Sequence, residues 1–167
     1  MTTERWVTAF HEAAHVVVAG AVGLKVTRVT IEPTYDTFYR QWRVGTTEIE
    51  VLGDHATDYS PAMRARLRRE AIFSLAGPAA ERRVVGHATL DGDDIDAQVA
   101  EWLLSRDACD LPRVLRRAQA IADRLVTERW SAIERLAAAL ISHRTLTRAQ
   151  LRRSTEEQEY LRTDLDG

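Results

Sequence analysis

The chain reads as a mainly α protein with a small β-sheet, an α+β arrangement. Five stretches read as helix, and only two short runs read as strand. Its 167 residues suit a single domain able to bury a real core. The 45% hydrophobic content is ordinary for a globular protein. We expect one domain over residues 1–153, followed by a polar, acidic tail at 154–167 that frays.

The elements follow in order. Thr2 or Thr3 can cap a first helix that ends near Gly20 or Gly23. Trp6, Phe10, Ala13 and Val17 mark its buried stripe. Val16-Val17-Val18-Ala19 makes its second half apolar nearly all round, so it reads as a core helix. Val26–Glu32 is a strand with Val29 and Ile31 on one face. Trp42–Val51 is a second strand, which Gly45 can bulge. Ser60-Pro61 opens the second helix, with proline at its first position. That helix runs toward Val85, and Gly77-Pro78 should kink or restart it, because proline lacks an N–H. A third helix follows the acidic run at 91–96 and reaches about Ser105.

Leu111-Pro112 opens a long helical stretch whose apolar side is Val114, Ala118, Ile121, Leu125, Ile133, Ala137 and Leu140. Thr147-Arg148-Ala149-Gln150 has capping-box spacing for a last short helix.

Within the first helix stands His11-Glu12-Ala13-Ala14-His15, an H-E-x-x-H pattern. Residues four apart share a helix face, so two imidazole nitrogens can meet one metal ion. Glu12 sits one step round the helix, where it can take a proton from a water that the metal activates. This is the zinc-hydrolase arrangement. A chance match arises in roughly one chain in a hundred, so context decides. Here the histidines lie on a core helix, and buried polar groups need partners. A metal would satisfy both, which makes Zn2+ the expected cofactor.

A catalytic zinc takes a third protein ligand and keeps one position open. The extended H-E-x-x-H-x-x-G-x-x-H pattern fails, with Val18 and Ala21 at its key positions. His55, His87, His143, Glu81 and the acids Asp91, Asp93, Asp94 and Asp96 remain. The acidic run also suits a helix cap and first turn. It is a poor calcium loop, because Ile95 and Asp96 stand where a ligand and then a glycine are required. Position alone does not choose among Asp93, Asp94 and Asp96.

Composition narrows the function classes. A net charge of −2 gives no reason to expect nucleic acid or an acidic membrane as partner. The positive charge is 22 Arg and one Lys. The cluster Arg64, Arg66, Arg68 and Arg69 reads as a solvated helix face. Cys109 is the single cysteine, which excludes a disulfide framework and a cysteine-based zinc site and suits a reducing cytoplasm. No apolar run approaches the ~20 residues that span a bilayer. No phosphate-binding G-x-x-x-x-G-K-[ST] loop occurs.

Four segments, taken together, resemble the peptidase domain of the FtsH-type (M41) zinc metalloproteases, over about residues 5–152. Ala9-Phe10-His11-Glu12-Ala13-Ala14-His15 is similar to the family's H-E-A-G-H helix, with Ala14 in place of glycine. Val26–Pro33 resembles the strand that follows. Leu75-Ala76-Gly77-Pro78-Ala79-Ala80-Glu81 resembles L-G-G-R-A-A-E, with Pro78 replacing the arginine. Gly92-Asp93-Asp94-Ile95 resembles S-N-D-L, with Asp93 in the place of asparagine. Leu136–Leu140 with Thr145-Leu146-Thr147 resembles the closing helices.

The resemblance implies a helical zincin-type peptidase fold. It also implies Asp94 as third metal ligand beside His11 and His15, because the family's Asp at that position binds zinc. The ATPase and membrane segments of full-length relatives are expected to be absent.

The expected activity is hydrolysis of peptide bonds by metal-activated water, with Glu12 as general base. The substrate is a polypeptide, unfolded or delivered by a partner, which could lie along an exposed strand edge. Glu81 is a candidate to accept the second N–H of a ligating histidine. Tyr35, Tyr39 and His55 fall in loops, where surface placement is the plain reading and a substrate or oxyanion contact the other. The competing function is a non-catalytic module that holds zinc and binds peptides or docks to a partner. Glu12 disfavours it, since a structural site needs no base there.

Overall fold

The computed structural model describes residues 3–37, 41–51, 60–87, 95–106 and 110–152. Six long helices and two small antiparallel sheets make up the described residues, an α+β fold dominated by helix.

Helix α1 (Thr3–Val22) is the hub. It packs mainly on α3 (Ala76–Val85) and α6 (Trp130–His143), and also meets α2 (Pro61–Ser74), α5 (Leu111–Glu128) and the sheet. Its end matches the expectation. Gly23 takes φ 77°, and the Leu24 N–H returns to the Ala19 carbonyl at 2.8 Å, a left-handed cap that only glycine adopts cheaply. Ala9, Ala13 and Ala14 of α1 and Ala76, Ala79 and Ala80 of α3 are all buried. Such small residues let the two backbones approach closely, which brings α3 side chains within reach of His11.

One sheet has the order β4-β1-β5, with β1 (Val26–Thr30) central, β4 (Thr46–Ile49) at one edge and β5 (Thr145–Thr147) at the other. Val29 pairs with Thr47 on one side and Leu146 on the other. Val29 and Leu146 are buried, so this row faces the core. The expected single strand 42–51 is instead two. Its first part, β3 (Gln41–Arg43), pairs with β2 (Thr34–Asp36) in a separate sheet, and the chain turns at Val44-Gly45 before β4. The register irregularity lies in β1, between Val26 and Arg28, and not at Gly45. Thr145–Thr147, read with the closing helices, forms β5. Beyond it, residues 148–152 are helical, and the Gln150 side chain accepts from the Thr147 N–H at 2.8 Å, as the capping spacing predicts.

Ser60 caps α2 by accepting from the Met63 N–H at 3.1 Å, and Asp110 caps α5 through Arg113. The helix expected to run to Val85 breaks at Leu75. Pro78 has no N–H for the Ser74 carbonyl, so α2 stops and α3 starts anew. The long C-terminal stretch also divides, into α5 and α6 at Arg129. Its apolar periodicity continues across the break, which hides the division from sequence reading. The arginine cluster on α2 is not wholly solvated. Arg66 is buried, its Nε donating to Glu70 Oε1 at 2.6 Å and its terminal nitrogen to the Glu50 carbonyl just beyond β4. The spacing of four places Glu70 beneath it on the helix. Tyr39, His55, Cys109, the acids 91–94 and the tail 154–167 lie outside the described residues.

Candidate metal centre

His11 and His15 project from one face of α1, with their Nε2 atoms 3.0 Å apart. The third partner comes from the first turn of α4 (Ile95–Ser105). Asp96 Oδ2 lies 2.9 Å from His11 Nε2 and 3.2 Å from His15 Nε2. The donor atoms of these three residues lie within 4.8 Å of one another.

The remaining ring nitrogens decide what this triangle is. His15 Nδ1 lies 2.8 Å from the Phe73 carbonyl oxygen, which can only accept, so this nitrogen carries the proton. His11 Nδ1 lies 2.8 Å from Glu81 Oε1, again an acceptor when ionised. In the neutral imidazoles both Nε2 atoms therefore present lone pairs, toward each other and toward a carboxylate oxygen. Three acceptors converging on one point require a cation or a proton between them. Ligands of a tetrahedral zinc at 2.0–2.1 Å stand about 3.3 Å apart, close to the separations seen here. The residues fit a divalent metal.

Proton affinities carry the same message. Burial opposes a charge on His11, but the hydrogen bonds to Asp96 and Glu81 outweigh it and hold its pKa well above the ordinary histidine range. Asp96 is desolvated too, yet the facing histidines keep its carboxyl far below the usual range. The site keeps an opening. The His15 side chain is only 5% exposed, while His11 and Asp96 retain 14% and 22%. Water or a substrate would approach over His11 and Asp96.

Glu12 is buried beside the donors and outside the triangle. Desolvation raises its pKa, and His11 and His15 pull in the opposite direction. The Thr47 hydroxyl on β4 donates to Glu12 Oε2 at 2.6 Å. Two glycines make room. A Cβ on Gly45 would come within 2.6 Å of Glu12 Oε1, and a Cβ on Gly77 would come within 2.4 Å of the His11 ring. Gly77 and Glu81, four residues apart on α3, thus face the same imidazole.

Of the residues singled out from sequence, the structure brings together His11, Glu12, His15, Glu81 and Asp96. Asp94, the ligand implied by the family alignment, lies outside the described residues, as do Asp91, Asp93 and His55. The carboxylate in position is Asp96. His87 and His143 are exposed, at the ends of α3 and α6, and take no part in the cluster. Tyr35 is exposed on β2. Sequence reading missed Thr47, Phe73 and the space-making role of both glycines. A threonine on the inner row of a strand is the one available signal, and it needs the strand boundaries first.

In comparisons with known proteins, no family model and no curated protein matches the chain.

Proposed function

We propose that this protein is a zinc-dependent endopeptidase of the M41 type, with His11, His15 and Asp96 as metal ligands and Glu12 as general base. The observation that carries the reading is the meeting of three lone-pair donors, with both Nδ1 protons committed elsewhere and a buried carboxylate alongside that is not a donor. A purely structural site has no use for that fourth group.

Zinc, when bound, would supply a Lewis acid and lower the pKa of its water. The protein's own groups do the rest. Glu81 and the Phe73 carbonyl hold the imidazoles in the ligating tautomer. Glu12 accepts the proton of the attacking water, and its desolvated carboxyl can return that proton to the leaving peptide nitrogen. The outer edge of β4 pairs with no strand among the described residues, so an extended polypeptide can add to it through main-chain hydrogen bonds with little demand on sequence. That suits unfolded segments as substrates.

The test is incubation of the zinc-loaded protein with casein, with and without chelator, beside Glu12→Gln. We expect chelator-sensitive cleavage that falls about 100-fold or more in Glu12→Gln, while bound zinc stays at one per chain. Cleavage that survives in Glu12→Gln would sink the mechanism. Zinc binding without any cleavage would favour the peptide-binding module instead.

A further inference from the structure

Glu12 does not simply project from its helix beside the donors. Its carboxylate is held on two sides by the chain from Gly45 to Thr47. Thr47 Oγ1 lies 2.6 Å from Glu12 Oε2 and 3.3 Å from the Glu12 carbonyl oxygen. A hydroxyl has one proton to give, and the shorter contact has the length of a charge-assisted O–H···O bond. The proton therefore goes to Oε2. On the other side, Oε1 lies against Gly45, where a Cβ would meet Oε1 at 2.6 Å, the Glu12 Cγ at 2.9 Å and Thr8 Cγ2 at 2.9 Å.

Thr47 sits in the inward row of the sheet, opposite Val29, and on the edge strand β4. The strand is tied down at its far end. The Glu50 N–H donates to the Lys25 carbonyl at 2.8 Å, and the Glu50 carbonyl accepts from buried Arg66.

We propose that Thr47 is a positioning residue that suspends the Glu12 carboxylate from the edge strand on which the substrate would pair. This deepens the peptidase reading and rests on it. The bond commits Oε2 to Thr47, so a proton taken from water would go to Oε1. It also persists through the cycle, because Oε2 accepts from Thr47 whether Oε1 is bare or protonated. The carboxylate thus needs no reorientation between taking a proton and giving it back. The same strand fixes both the base and the backbone of the peptide, so the distance between base and scissile bond is set by one element.

The experiment compares Thr47→Val, Thr47→Ser and Gly45→Ala with the native protein, all zinc-loaded. It measures bound zinc, kcat and KM on an unfolded substrate, and affinity for a peptide hydroxamate, which chelates the metal and donates its O–H to the base. In Thr47→Val we expect zinc content to hold, kcat to fall about 10- to 100-fold, as for loss of a hydrogen bond to a charged group, and KM to stay within about twofold. Hydroxamate affinity should fall with kcat. Thr47→Ser should recover most of the loss. Gly45→Ala, which crowds Oε1 from the opposite side, should reproduce the loss of kcat even if Thr47→Val fails to fold.

Unchanged kcat in Thr47→Val or Gly45→Ala, a change confined to KM, or equal losses in Thr47→Ser and Thr47→Val would overturn the role of Thr47 while leaving the peptidase intact. A native protein that cuts nothing would overturn both.

Discussion

Among the described residues, buried charge gathers in two places, and the two are built on opposite plans. On α2, Arg66 and Glu70 form a buried ion pair, and the guanidinium spends a further N–H on the Glu50 carbonyl. On α1, Glu12, Glu81 and Asp96 surround two histidines. Three carboxyl groups and two imidazoles are thus crowded into one buried cluster. The first site holds its own cation and serves as a clamp between helix and strand. In the second, two imidazole nitrogens and a carboxylate oxygen converge, an arrangement that calls for a cation from outside or a proton on His11. Burial of charge by itself thus says little about function, whereas the balance within the buried set says a good deal.

The largest effect should come from removing a donor of the unbalanced set. His11→Ala, His15→Ala or Asp96→Asn should abolish stoichiometric zinc binding, measured by metal analysis after dialysis, and cleavage with it. Full zinc occupancy in Asp96→Asn would move the third ligand elsewhere, with Asp94 the first candidate.

At the balanced pair, zinc should be retained and stability lost. Arg66→Met removes the buried guanidinium that Glu70 accepts from and should cost about 3–5 kcal/mol in urea unfolding, while Arg66→Met combined with Glu70→Leu should recover most of it. Equal losses in the single and double variants would show that the bond to Glu50, not the ion pair, holds the strand.

A smaller effect, and a finer test, is Gly77→Ala. The added methyl meets the His11 ring at 2.4 Å. Zinc affinity should fall about 10- to 100-fold, as when the surroundings of a ligand are disturbed, with the donors all still present. Native affinity in this variant would show that α3 can yield without moving the imidazole.

What could be read from the sequence follows from how local each feature is. The two histidines and Glu12 were legible because a helix fixes their relation within five residues. The caps at Gly23 and Ser60 were legible for the same reason. Asp96 was not separable from Asp93 and Asp94, because the choice depends on where α4 begins, and an acidic run offers several caps for one helix. Arg66 looked like its neighbours Arg64 and Arg68. What sets it apart is its bond to the Glu50 carbonyl, a tertiary contact that local spacing does not encode. Thr47 and the Phe73 carbonyl reach the site through tertiary contacts across 35 and 58 residues of chain, which no local pattern encodes. Glu81 was legible as a candidate acceptor for a ligating histidine, but which histidine it meets depends on how α3 packs against α1.

The break at Leu75 has a consequence for how conflict is distributed in this molecule. In an unbroken helix the Phe73 carbonyl would be spent on the N–H of residue 77. Here α2 has ended, and that carbonyl fixes the tautomer of His15. A helix-forming residue in place of Pro78 would please the local backbone and invite the two helices to fuse. Its new N–H would bond the Ser74 carbonyl, and the fused helix would bring the Gly77 N–H onto the Phe73 carbonyl that orients His15. The proline is a point of deliberate frustration, where regular secondary structure is given up so that an imidazole one helix away can face its partners in a single state.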